Sequence, residues 1–243
     1  MLNSSSIFLL LIPSCFWGNT AYRPQVSVAG FIPLSGSGRD IYNFNPGWRY
    51  YKGDMERAET VELDDSDWEV VATPHSVELM PAEASGCRNY QGPVWYRKWF
   101  VIPAATRGKQ VFIHFEAVMG KQKVYLNGHL VKEHLGGYLP FNIDLTANGI
   151  QAGDSCLIAV MADNSDDKSY PPGKRQYTLD FSYHGGIYRD VWMIAKSDVS
   201  ITRGPSRYAL FCPMSTETSF STMMAFWNSM PDTHGLWTIW RLG

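Results

Sequence analysis

Apolar residues in this chain return at every second position, in runs too short to make helices. Val111, Ile113 and Phe115 fall on one face of residues 110–115, the spacing of a pleated strand whose side chains alternate between its two surfaces. Residues 94–101 and 123–126 alternate in the same way, and residues 141–145 and 155–162 add two further runs of strand length. Residues 48–54 read as a short strand closing at Gly53. Asp64, Asp65, Ser66 and Asp67 supply turn chemistry ahead of Val70-Val71, and Thr73-Pro74-His75 follows. Asn127-Gly128 is a strong signal for a two-residue hairpin. No long stretch carries the 3.6-residue period of an amphipathic helix. Many short strands with glycine and proline turns between them predict an all-β fold, a jelly-roll β-sandwich.

The segment around Gly185-Gly186 is the most informative single stretch. A paired glycine marks a turn, because residues without Cβ adopt positive φ freely. A strand is expected to start at once, with Tyr188, Asp190 and Trp192 on one side and Arg189, Val191 and Met193 on the other. An acidic residue, Asp180, stands just upstream.

A length of 243 residues allows one large or two ordinary domains. The net charge of −2 gives no electrostatic reason to expect a nucleic-acid partner. Aromatic residues make up 14% of the chain; they suit pleated surfaces and also the apolar faces of pyranose rings, and the first use is sufficient to explain them. Cys15, Cys87, Cys156 and Cys212 form no Cys-x-x-Cys and no Cys/His cluster, so neither a metal site nor a cofactor is expected. Three disulfide pairings are open to four cysteines. Cys156, inside an apolar strand, reads as a buried free thiol.

Residues 1–22 resemble an export segment. A short apolar run, residues 7–13, is too short to span a bilayer, and Ile12-Pro13-Ser14-Cys15 resembles a bacterial lipoprotein cleavage site with Cys15 as the lipidated residue. No Lys or Arg precedes the run, a departure from the usual signal. The expectation is an exported protein, periplasmic or at the cell surface, touching the membrane only through that lipid. Residues 23–39 read as a linker rich in Pro, Gly and Ser. Residues 40–202 make up the β-domain. Residues 203–243, with no lysine, four methionines and three tryptophans, show neither period and are expected to be a disordered, unrelated tail, the mark of a truncated or out-of-frame ending.

Seven pieces in order carry a family resemblance: Gly47-Trp48 with Lys52-Gly53; Asp67-Trp68 leading to Pro74-His75; Val94-Trp95-Tyr96-Arg97-Lys98; Lys123-Val124-Tyr125-Leu126-Asn127-Gly128; Gly136-Gly137-Tyr138-Leu139-Pro140-Phe141; Asp163-Asn164-Ser165; and residues 185–191. Together they resemble the sugar-binding domain that opens the enzymes of glycoside hydrolase family 2, the β-galactosidases and β-glucuronidases. The resemblance runs from about residue 42 to residue 201. It implies a non-catalytic, galactose-binding-domain-like jelly roll preceding an immunoglobulin-like domain and a (β/α)8 barrel whose two glutamates hydrolyse β-galactosides or β-glucuronides. Retaining hydrolysis needs two carboxyl groups about 5–5.5 Å apart. The family's acid/base glutamate follows an asparagine, and no Asn-Glu dipeptide occurs here. The residues after 202 are too few for a barrel of about 250 residues. The chain is therefore expected to be inactive alone.

The same resemblance implies two substrate-binding positions. An aspartate shortly before the Gly-Ile-Tyr-Arg-Asp segment falls on Asp180, and an asparagine ahead of the Trp-Tyr-Arg strand falls on Asn89, while a gapless count lands on Gln91. A carboxylate suits the first task because charge-assisted hydrogen bonds to sugar hydroxyls are stronger than neutral ones. Other eye-catching residues have plainer readings. Arg189, Asp190, His75 and His184 read as scaffold, and Trp95 with Trp99 as core. The Asp163–Asp167 cluster could hold Ca²⁺ but more commonly such a run ends a strand in water. Residues 168–176 read as an exposed loop near the sugar site. Two rival functions stay open: a stand-alone carbohydrate-binding module, and an exported β-sandwich interaction protein.

Overall fold

The computed structural model describes residues 21–26, 39–79, 89–181 and 183–197. Strands β1 (Gln25–Val26), β2 (Arg39–Asn43), β11 (Val191–Lys196), β6 (Gln110–Phe115) and β9 (Phe141–Asp144) form one sheet in that order. The other holds β4 (Glu69–Val71), β3 (Trp48–Lys52), β5 (Pro93–Val101), β10 (Ser155–Asp163), β7 (Lys121–Leu126) and β8 (His129–Leu135). All the pairings between these strands are antiparallel.

The core follows from the period of two. Val94, Tyr96 and Phe100 of β5, Val111, Ile113 and Phe115 of β6, Ile158 and Val160 of β10, and Val191, Met193 and Ala195 of β11 all enter one buried cluster. The opposite face of β5 packs a second cluster in which Trp95 meets Ala58, Trp68 and Ala159. Trp95 is thus core, as its alternation suggests, and Trp99 is half-buried. Cys156 is a buried free thiol, pushed up to about 12 by burial.

At the β7–β8 turn, Asn127 and Gly128 both have positive φ, 48° and 84°, as a type I′ hairpin requires. Two expectations differ from the fold. Gln25 and Val26, within the stretch read as linker, pair with Tyr42 and Asn43, and Tyr22 bridges to Phe100. The last strand begins at Val191 rather than at Tyr188. Its approach is diverted because loops take its backbone groups: His75 N–H bonds Ile187 O at 2.8 Å, Val77 N–H bonds Gly185 O at 3.1 Å and Met119 N–H bonds Gly186 O at 3.0 Å.

Register brings many strand ends to one rim. Asp163 lies opposite both Pro93 and Lys121, Lys121 opposite Leu135, and Phe115 opposite Val191 and Phe141. The connections carrying Asn89, Gly120, Tyr138 and Asp180 therefore share that end of the sandwich.

Candidate functional site at one rim of the sandwich

Two segments build the rim: the approach to β5 (residues 89–92) and the long connection from β10 to β11 (residues 164–190). Polar side chains join them. Asn89 N–H donates to Gln176 Oε1 at 3.2 Å, Gln176 Nε2 donates to Asn89 Oδ1, and Asn89 Nδ2 donates to Tyr183 O. Gln91 Nε2 donates to Asp166 Oδ1 at 2.7 Å and to Tyr183 OH at 3.3 Å. Asp166 Oδ1 also accepts from Gln176 N–H at 2.9 Å. Gln176 is buried in a single 3₁₀ turn, Gln176–Thr178. A buried amide needs partners for its polar atoms, and these supply them.

Asp180 is exposed on this connection, between Gln176 and Tyr183, both of which bond Asn89. Asn89 is half-buried with its amide engaged, whereas Gln91 is exposed. Cys15, the expected lipidation residue, lies outside the described residues. From the sequence, Asp166 reads only as part of the Asp163–Asp167 cluster and Gln176 only as the end of an exposed loop, whereas Gln176 is buried. They are ordinary loop residues there, and only their non-local partners distinguish them.

The Asp163–Asp167 cluster has structural duties. Asn164 is buried; its Oδ1 accepts from Gly92 N–H at 3.1 Å and its Nδ2 donates to Tyr90 O at 2.8 Å. Asp163 Oδ1 accepts from Ser165 N–H at 2.8 Å. Asp167 pairs with Lys121 at 2.7 Å and accepts from Ser169. The Lys121 bond, then the Ser169 bonds, hold the Asp167 carboxyl well below the usual carboxylate range. Among the described residues no three His, Cys, Asp or Glu side chains are grouped to hold a metal ion. Beside the cluster, Met119, Asn164, Asp167, Tyr170, Lys174 and Tyr183 line a cavity of about 10 Å³. That is room for a water molecule, far below the 300 Å³ or so of a small-ligand pocket. Burial pushes the Tyr170 phenol up to about 12, with Asp167 adding to the effect, so it is a neutral donor, bonded to Ser165 O at 3.3 Å.

The other prominent residues brace the rim from below. His75 Nδ1 and Tyr96 OH share a hydrogen bond of 2.9 Å, and His184 Nδ1 shares one of 2.9 Å with Ser76 Oγ. Asp190 Oδ1 accepts from Asn45 Nδ2 at 2.7 Å, while Asn45 Oδ1 accepts from Val191 N–H at 2.7 Å and Thr73 Oγ1 at 2.8 Å. Asn45 thus ties the approach of β11 to β2 and the Thr73 loop. Lys98 is buried, donating to Phe44 O and Pro46 O at 2.7 Å each beneath the Tyr22 ring, 3.8 Å from its centroid.

The rim is a polar loop tied by side-chain hydrogen bonds to the approach to β5. The family described as glycosyl hydrolases family 2, sugar binding domain, matches over residues 43–197. The chain belongs to glycoside hydrolase family 2. A β-galactosidase of Thermoanaerobacter pseudethanolicus is 40% identical over 164 residues, 68% of this chain and 22% of that protein. A β-glucuronidase of Formosa agariphila is 32% identical over 183 residues, 70% of this chain and 18% of that protein. Among solved structures, the β-glucuronidase of Bacteroides uniformis superimposes with a TM-score of 0.60 at 29% identity, over 69% of this chain and 19% of that one. The chain spans about a fifth of the length of these family 2 relatives. What matches is the family's sugar-binding β-sandwich, and the rim is part of it.

Proposed function

We propose that this chain serves as the non-catalytic sugar-binding part of a β-galactosidase-like or β-glucuronidase-like glycosidase. In that role the rim lends contacts to a β-galactoside or β-glucuronide while a catalytic barrel performs the hydrolysis. One observation carries the reading: Asp180 is exposed on a loop that Gln176 and Tyr183 tie to Asn89. Asp180 stands at one position the family resemblance assigns to sugar contact, and Asn89, or Gln91 on a gapless count, at the other. The apolar run of residues 7–13 and Ser14-Cys15 support export with a lipid on Cys15.

Sugar contact through so few groups is weak. One charged hydrogen bond contributes about 1.5–3 kcal/mol and a neutral one about 0.5–1.5, against about 4 kcal/mol for millimolar affinity. Ligand-observed NMR with methyl β-galactoside is the test. Line broadening that Asp180→Asn abolishes supports the role, and a signal indifferent to Asp180 overturns it. The purified chain should also release no nitrophenol from nitrophenyl β-galactoside or β-glucuronide above blank. Turnover that disappears when one of the chain's own carboxylates is replaced overturns the non-catalytic part.

A further inference from the structure

Tyr22 is fixed at the end of the sandwich opposite the rim. Its N–H donates to Trp99 O at 2.7 Å and its carbonyl accepts from Val101 N–H at 2.9 Å. Its hydroxyl donates to Asn43 O at 3.0 Å, and its ring covers the buried Lys98 Nζ at 3.8 Å. Gln25 and Val26 then pair with β2 of the other sheet, so residues 21–26 strap the two sheets together. Val101, the last residue of β5, lies opposite Ser155, the first of β10. Ile102 N–H donates to Asp154 O and Gly153 N–H to Ile102 O, each at 2.9 Å. The loops of residues 102–109 and 145–154 therefore share the strap end.

Resting on the lipid-anchored export proposed above, we infer that this strap end lies against anionic lipid headgroups, with the rim turned away from the bilayer. Between Cys15 and the fixed Tyr22 stand six residues, 16–21, which span at most about 22 Å when extended. From Phe100, the residue Tyr22 bridges to, to Pro93 at the rim is seven strand steps, about 23 Å, and the loops of Asn89 and Asp180 lie beyond Pro93. A rim turned to the bilayer outruns that tether. Trp17, within it, is of a type that settles at the headgroup level. Charge agrees. Residues 21–24, 102–109 and 145–154 carry Arg23, Arg107 and Lys109 against one acid, Asp154. Lys109 pairs with Asp40, whereas Arg23 and Arg107 are exposed and belong to no ion pair among the described residues. Guanidinium groups suit lipid phosphates, and an anionic leaflet attracts cations held within a Debye length of it.

The test uses the whole exported chain, purified from the membrane fraction and placed in vesicles containing an anionic lipid with a photoreactive headgroup. Mass spectrometry maps the cross-links, and the mass of the N-terminal peptide reports the lipid on Cys15 independently. Cross-links should fall in residues 102–109 and 145–154 rather than in 89–92 and 164–181. Arg107→Glu, at an exposed site, should lower their yield about threefold to tenfold. An acylated Cys15 with cross-links at the rim, or spread equally over both ends, overturns this inference and leaves the anchor standing. So does an Arg107→Glu chain with unchanged yield. A Cys15 without lipid overturns the anchor and this inference together.

Discussion

Arg97 Nε donates to Asp65 Oδ2 at 2.8 Å with both side chains sealed from solvent, 0% and 1% exposed. The guanidinium also donates to the carbonyls of Ala58, Thr60 and Leu63, so one side chain of β5 fastens residues 58–65 over the outer face of its sheet. Trp68 and Trp95 are buried under that cover.

Removing either partner leaves a buried charge uncompensated. Arg97→Ala or Asp65→Ala should each destabilise the chain by about 3–5 kcal/mol, read as a shift in the urea midpoint. The double variant should cost less than the two single losses added. A single variant within about 0.5 kcal/mol of the parent would show that the cover is held by packing alone.

Acid should act in two steps. Burial lowers the His75 pKa below its ordinary value, and burial, then Lys132, lowers that of His134. The unfolded chain then binds more protons near its own histidine pKa of about 6.5, so stability falls as pH drops from about 6.5 toward the depressed folded values. Lys52 bonding and a Tyr90 N–H hold the Glu78 carboxyl low, and that contribution is lost only below about pH 4.5. Urea titrations from pH 8 to about 5 should show the first step, and His75→Gln should reduce it. An unchanged slope in that variant would remove His75 from the account.

Gly186 has φ +92°, and a Cβ there would run into the Tyr96 hydroxyl. Gly186→Ala should therefore cost about 2–4 kcal/mol, from left-handed strain plus overpacking. Gly149, at φ +80° with open space around it, is the control; its alanine variant should cost only about 1–2 kcal/mol. Equal losses would mean that strain alone matters at both sites.

Replacing the exposed Asp180 by Asn should change stability by less than about 0.5 kcal/mol. Gln176→Ala, which strips partners from Asn89, should cost about 1–3 kcal/mol and speed amide exchange across residues 166–181. Equal stability of the two variants, with unchanged exchange, would show that the loop does not depend on Gln176.

How far the fold was legible follows from the reach of each interaction. Strand β6 occupies the residues its alternation marks, and β5 and β10 extend theirs by one, because the period of two is a local property of pleated backbone. The Asn127-Gly128 turn was equally legible, since both residues tolerate positive φ. The start of β11 was not. Its glycines and alternating residues looked continuous with the strand, yet backbone groups of Gly185, Gly186 and Ile187 are claimed by Val77, Met119 and His75, partners at least 67 residues away in the chain. The site divides in the same way. Counting along the motif left Asn89 and Gln91 as alternatives, because sequence distance says nothing of which amide is occupied. Gln176 and Tyr183 bind up Asn89, Asp166 orients Gln91, and those contacts exist only once the β10–β11 connection has folded back on the approach to β5. Local periodicity placed most of the strands; the use of each polar side chain was settled by which distant groups the closed sandwich brought within hydrogen-bond reach.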